Sequence, residues 1–212
     1  MAARSFKIPF NTRLPAELCC ANFLSIVISI RFSTTGENGL KSTSHEPTER
    51  VRLGISSCLL GDAVRFDGGH KRDAFLTGVF SKYVEWVPVC PEFELGLGVP
   101  RETLRLIDND GRVRLIAPGS GEDRTQAMER WAERRIEQLA KLDLCGYVFK
   151  RSSPTCGIER VRVYRNTGLL HRNGTGRFSA AVIRRFESLP VEEEGRLNDP
   201  RLRENFISSV FS

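Results

Sequence analysis

Asp123-Arg124-Thr125-Gln126-Ala127-Met128-Glu129-Arg130-Trp131-Ala132-Glu133-Arg134-Arg135-Ile136-Glu137-Gln138-Leu139-Ala140-Lys141 runs through a short turn into Gly146-Tyr147-Val148-Phe149, and this junction decides the fold. Met128, Trp131, Ala132, Ile136, Leu139 and Ala140 recur at helical spacing, so a helix with one apolar stripe is predicted over 123–141, with acids in its first turn. Gly146–Phe149 is an uninterrupted apolar run of strand length. A helix emptying into such a strand is the second half of a βαβ unit, whose crossover is right-handed and whose strands are parallel. The chain is therefore expected to be an α/β protein.

Working outward, Val51-Arg52-Leu53-Gly54-Ile55-Ser56 is a buried-type strand followed by a Gly-rich loop over 61–69. A short helix is expected over Asp73–Ser81, and a second strand, Trp86–Val89, leads into Cys90-Pro91-Glu92. Leu104–Ile107 and Arg112–Ile116 flank Asp108-Asn109-Asp110-Gly111, a hairpin signal. Val161–Arg165 adds a strand closed by Asn166-Thr167-Gly168, and Phe178–Phe186 a helix. Beyond Leu189 the composition turns to a charged linker, Pro190-Val191-Glu192-Glu193-Glu194-Gly195-Arg196. Asp199 then caps a helix with Pro200 at its first position.

The expected division is an N-terminal extension over 1–50, disordered or non-functional, a core domain over 51–189, and a linker with the start of a missing C-terminal helical domain over 190–212. In that division Phe206, Ile207, Val210 and Phe211 have nothing obvious to pack on. The apolar run Phe23–Ile30 is well short of the roughly 20 residues that span a bilayer.

With 40% hydrophobic and 27% charged residues, the 212-residue chain can bury a sizeable core. Its formal charge of +6 suits polyanionic partners if the cations cluster, and a solvated surface if they do not. Six irregularly spaced cysteines are too few for a disulfide scaffold, which points to a reducing, cytoplasmic setting with thiols free for metal. His45, His70 and His171 show no ligand spacing, and Gly96-x-Gly98 is too short for a dinucleotide site.

Cys58, Cys90 and Cys156 each follow a predicted strand. Ligands in open α/β sheets gather beyond the carboxyl ends of parallel strands, so the fold can bring these thiols into one crevice. Three soft thiolates there suit iron–sulfur or zinc chemistry. Cys145, in the turn before Gly146, is expected to be structural. Arg65, Asp67, Lys71, Arg101 and Lys150 are the remaining polar candidates around the loops, with Asp67 equally readable as a turn residue.

Three blocks then carry a resemblance: Ser56-Ser57-Cys58-Leu59-Leu60-Gly61 with Val64-Arg65-Phe66-Asp67-Gly68-Gly69; Val89-Cys90-Pro91-Glu92 with Gly96 and Val99-Pro100-Arg101; and Lys150-Arg151-Ser152-Ser153-Pro154-Thr155-Cys156-Gly157. In this order they resemble the signature blocks of TudS-type thiouracil desulfidases over about Arg50 to Leu189. The resemblance implies a Rossmann-like parallel sheet flanked by helices, with the small hairpin beside it. It also implies a [4Fe-4S] cluster held by Cys58, Cys90 and Cys156, with one iron left for substrate sulfur. Glu92 is implied as acid/base and Ser153 as the hydroxyl beside the substrate. Thr155 stands where many members carry Ser.

The expected activity is replacement of sulfur by oxygen on a thiolated uracil: 2-thiouracil, or 4-thiouridine free or in tRNA. The tail resembles the linker of two-domain tRNA 4-thiouridine desulfidases, so tRNA is expected to be gripped weakly. The alternative is a non-catalytic RNA-binding module in which a metal or cluster only staples the fold.

Overall fold

A computed structural model describes residues 50–165 and 167–212, so the reading of 1–49 lies outside the described residues. The first sheet contains β1 (Val51–Ser56), β2 (Val84–Val89), β5 (Gly146–Phe149) and β8 (Val191–Glu193), in the order β2-β1-β5-β8. All of its pairings are parallel. The second sheet has the order β4-β3-β6-β7, built from β3 (Arg105–Asn109), β4 (Arg112–Ile116), β6 (Val161–Arg165) and β7 (Gly168–Gly174). The predicted hairpin is β3–β4, and it belongs to this larger sheet because β3 also pairs in parallel with β6.

Alternation along the strands splits the apolar residues between two cores. Tyr147 and Phe149 point into one core, together with Met128, Trp131 and Ile136 of α2 (Thr125–Leu139) and Phe178 and Val182 of α3 (Arg177–Arg185). Val148 points the other way and joins Leu53, Ile55, Leu76 and Phe80. Gly54 makes the first arrangement possible: a Cβ there would stand 2.1 Å from the Tyr147 ring, which occupies that space and stacks on Phe149 with centroids 4.0 Å apart.

Three expectations need correction. The helix expected at 123–141 starts at Thr125, because Asp123 stays outside it and accepts a bond from the Thr125 N–H at 2.9 Å. The helix expected over 73–81 is a π-type turn, Phe75–Val79, running into a 3₁₀ turn, Phe80–Lys82. Thr77, Gly78 and Val79 all disfavour regular α-helix there.

The charged linker is the third correction. Val191–Glu193 adds edge strand β8 beside β5. After it, α4 (Pro200–Val210), capped as expected by Asp199, buries Phe206, Ile207 and Val210 in the second core, with Phe211 just beyond. These residues do have a surface to pack on: the face of the parallel sheet opposite α2. No helix among the described residues is long and apolar enough to cross a membrane.

Candidate active site

The parallel order β2-β1-β5 aligns the carboxyl ends of three strands, and a cysteine follows each. Cys58 sits in the 3₁₀ turn Ser57–Leu59 after β1. Cys90 occupies the position before the short helix α1 (Pro91–Glu94) after β2, and Cys156 lies in the loop after β5. All three line one cavity of about 500 Å³. Cys145 lies just before β5, its N–H donating to the Arg52 carbonyl at 2.9 Å, and so belongs to the opposite, amino-terminal end of the strands.

The Cys156 loop is held by the start of α3. Phe178 and Ser179 donate their N–H groups to the Thr155 carbonyl at 2.9 and 3.2 Å, and the Ser179 hydroxyl donates to the Gly157 carbonyl at 2.7 Å. Gly176 permits this contact, since a Cβ there would lie 2.5 Å from the Thr155 carbonyl carbon. Lys150 and Glu194 clamp the other end of the loop with an ion pair, and Glu194 also accepts from the Arg151 N–H at 2.7 Å. Glu193 accepts from the Ile158 N–H at 2.8 Å. Neither acid is readable as a site residue from sequence, because both lie in a stretch that looks like a solvated charge run.

Burial controls the thiols. It pushes the Cys58 thiol up to about 11, with the charge of Cys90 adding to the rise and Lys150 and Arg65 opposing it. It also raises Cys90 and, further, Cys156. Neutral thiols on one cavity wall, two of them buried and one half-buried, are poor nucleophiles but become good ligands once a cationic metal group favours their thiolates.

Three thiols lining one cavity of about 500 Å³ are a donor set that a polynuclear iron–sulfur group takes. Ser57 Oγ, buried beside Cys58, has no partner among the described residues and leaves a hydroxyl for whatever fills the site.

Glu92 lines the same cavity. Its Oε2 receives Arg101 through Nε at 3.0 Å and Nη2 at 2.9 Å, and its Oε1 accepts from the Thr155 hydroxyl at 3.0 Å. Thr155 Oγ1 is 2.9 Å from Ser153 Oγ. Because the single Thr155 proton goes to Glu92, Ser153 donates to Thr155. Ser153 therefore stands one hydroxyl away from Glu92, and Thr155 is the joint between them, also lying 3.6 Å from Cys156 Sγ.

Arg65, Lys71, Arg105, Lys150, Arg151 and Arg162 complete a cationic wall in which Glu92 is the only acid among the described lining residues. Asp67 is a turn residue outside the cavity lining. It accepts from Gly69 N–H at 3.0 Å and Arg65 at 3.3 Å, and those contacts lower its carboxyl below the usual range.

The parallel α/β sheet thus carries three thiols, a clamped carboxylate and a cationic wall together at the carboxyl ends of its strands. The chain belongs to the 2-thiouracil desulfurase family, whose pattern matches residues 53–194. It is 27% identical over 150 residues to uncharacterized protein YbbK of Bacillus subtilis (strain 168), an alignment covering 68% of this chain and 97% of that one. Among solved structures, the [4Fe-4S]-dependent thiouracil desulfidase TudS matches with a TM-score of 0.59 at 26% identity, covering 75% of this chain and 99% of that one.

Proposed function

We propose that this chain is an iron–sulfur-dependent desulfidase that exchanges the thiocarbonyl sulfur of a thiolated uracil for oxygen. The observation that carries the reading is the meeting of Cys58, Cys90 and Cys156 on one cavity wall with Glu92. The family match and the likeness to TudS support it. Cys58, Cys90 and Cys156 would hold a [4Fe-4S] cluster. When bound, it supplies an iron without a protein ligand as a Lewis acid with affinity for soft sulfur.

The protein supplies the proton handling. The exchange consumes water and releases hydrogen sulfide, C=S becoming C=O with no net redox change. Glu92, paired with Arg101, presents a carboxylate with a lone pair still free on Oε1 that takes a proton from the attacking water and returns it to the departing sulfur. Ser153 and Thr155 hold that carboxylate on its Oε1 side, and Arg101 on its Oε2 side. The cationic wall suits a substrate that carries phosphate, and 4-thiouridine within tRNA would meet the same wall.

Incubating the anaerobically cluster-loaded protein with 2-thiouracil, 4-thiouridine and thiolated tRNA, and measuring sulfide and the oxygenated product, tests the reading. Stoichiometric sulfide and uracil or uridine are expected. RNA binding that weakens with salt, without sulfide release, would instead make this a cluster-stapled RNA-binding module.

A further inference from the structure

We propose that Phe66 is the stacking platform for the pyrimidine ring, and that Arg101 sets its distance from Glu92. The inference rests on the desulfidase reading above and adds a residue that selects the substrate. Phe80, Phe149, Phe178, Phe206 and Phe211 are all at most 5% exposed, as phenylalanine usually is in a core. Phe66 is 37% exposed and Phe93 49%, and of these two only Phe66 forms part of the cavity wall.

The loop's bonding keeps the ring there. The Phe66 carbonyl accepts from the Arg101 N–H at 2.9 Å, Gly68 N–H donates to the Arg65 carbonyl at 3.0 Å, and Arg65 N–H donates to the Gly69 carbonyl at 3.3 Å. The Arg65 guanidinium lies over one face of the ring, 5.3 Å from its centroid, so a flat heterocycle would stack on the opposite face. Tyr164, the other aromatic of the cavity wall, has the Arg105 guanidinium 4.9 Å from its ring centroid.

Arg101 joins platform and chemistry in one residue. Its backbone holds Phe66, its Nε and Nη2 hold Glu92, and its Nη1 donates to the Gly98 carbonyl at 2.9 Å. A base stacked on Phe66 is thereby set at a fixed distance from the carboxylate that moves its protons.

The test uses the cluster-loaded full chain with two probes: uridine, an unreactive oxygen analogue, for equilibrium binding by calorimetry, and 4-thiouridine for steady-state kinetics. Phe66→Ala should weaken uridine binding and raise KM by roughly tenfold, with a smaller change in kcat. Phe66→Trp and Phe66→Tyr should restore both, and Phe66→Leu should not. Phe66 is exposed, so none of these variants threatens the core.

If the wild type releases sulfide and its KM and uridine affinity are indifferent to residue 66, or if Leu serves as well as Trp, the platform is overturned and the desulfidase reading stands. If the wild type binds uridine through Phe66 but releases no sulfide, the platform stands and the desulfidase reading falls. A chain that binds no pyrimidine overturns both.

Discussion

Glu92 is the side chain on which the proposed chemistry turns, and its surroundings are specific. Two Arg101 nitrogens occupy one carboxylate oxygen and the Thr155 hydroxyl the other. Glu92→Gln preserves the shape and an acceptor for Thr155 but removes the base. It should retain iron and sulfide content while losing at least about a hundredfold in kcat; a wild-type rate would reduce Glu92 to a structural carboxylate. In the cluster-free chain, Cys58 gives a pH signature. Its thiol is raised by burial from 9.0 to about 11, so between these values the unfolded chain sheds the proton while the folded chain keeps it. Cys58 thus contributes stability that is complete below pH 9 and declines as the pH rises toward 11. Urea midpoints at pH 8 and 10.5 should fall further for the wild type than for Cys58→Ala; an equal fall would show that Cys58 does not titrate as its burial dictates.

Among the elements, α4 tests whether the tail belongs to the fold. Phe206 is 5% exposed and packs in the core that holds Leu53 and Val148. Phe206→Ala should therefore destabilise the chain by about 3 to 5 kcal/mol in urea denaturation, whereas a change under about 0.5 kcal/mol would mark the helix as a loose appendage. The tail also shows where sequence reading stops. Strands β1, β2 and β5 are legible because they are apolar runs feeding turn signals, and α2 because its stripe repeats at helical period. By contrast, β8 has three residues, two of them glutamates, and becomes a strand only because β5 offers it a free edge. Similarly, β7 is exposed along most of its length and shows no apolar alternation; it is fixed by pairing with β6. In the site, the cysteines and Glu92 are legible from their motif blocks. The roles of Arg101 and Thr155 as clamps, and of Glu194 as the anchor of the Cys156 loop, depend on contacts between residues more than 40 positions apart in two of the three cases. Local pattern carries no such information.

The whole molecule arranges three strand ends, two clamped loops and a cationic wall around one cavity, where in the proposed reading a sulfur-bearing ring, a thiolate-held cofactor and a proton carrier would meet. The parallel sheet sets the spacing of Cys58, Cys90 and Cys156, and the two cores fix that sheet from both faces. The most direct measurement of this account is sulfide release from 4-thiouridine, together with iron and sulfide content, for anaerobically loaded wild type and the single variants Cys58→Ala, Cys90→Ala, Cys156→Ala and Cys145→Ala. The account predicts that each of the first three loses both cluster and activity while Cys145→Ala keeps both. Full cluster content and turnover in any one of the first three would contradict it.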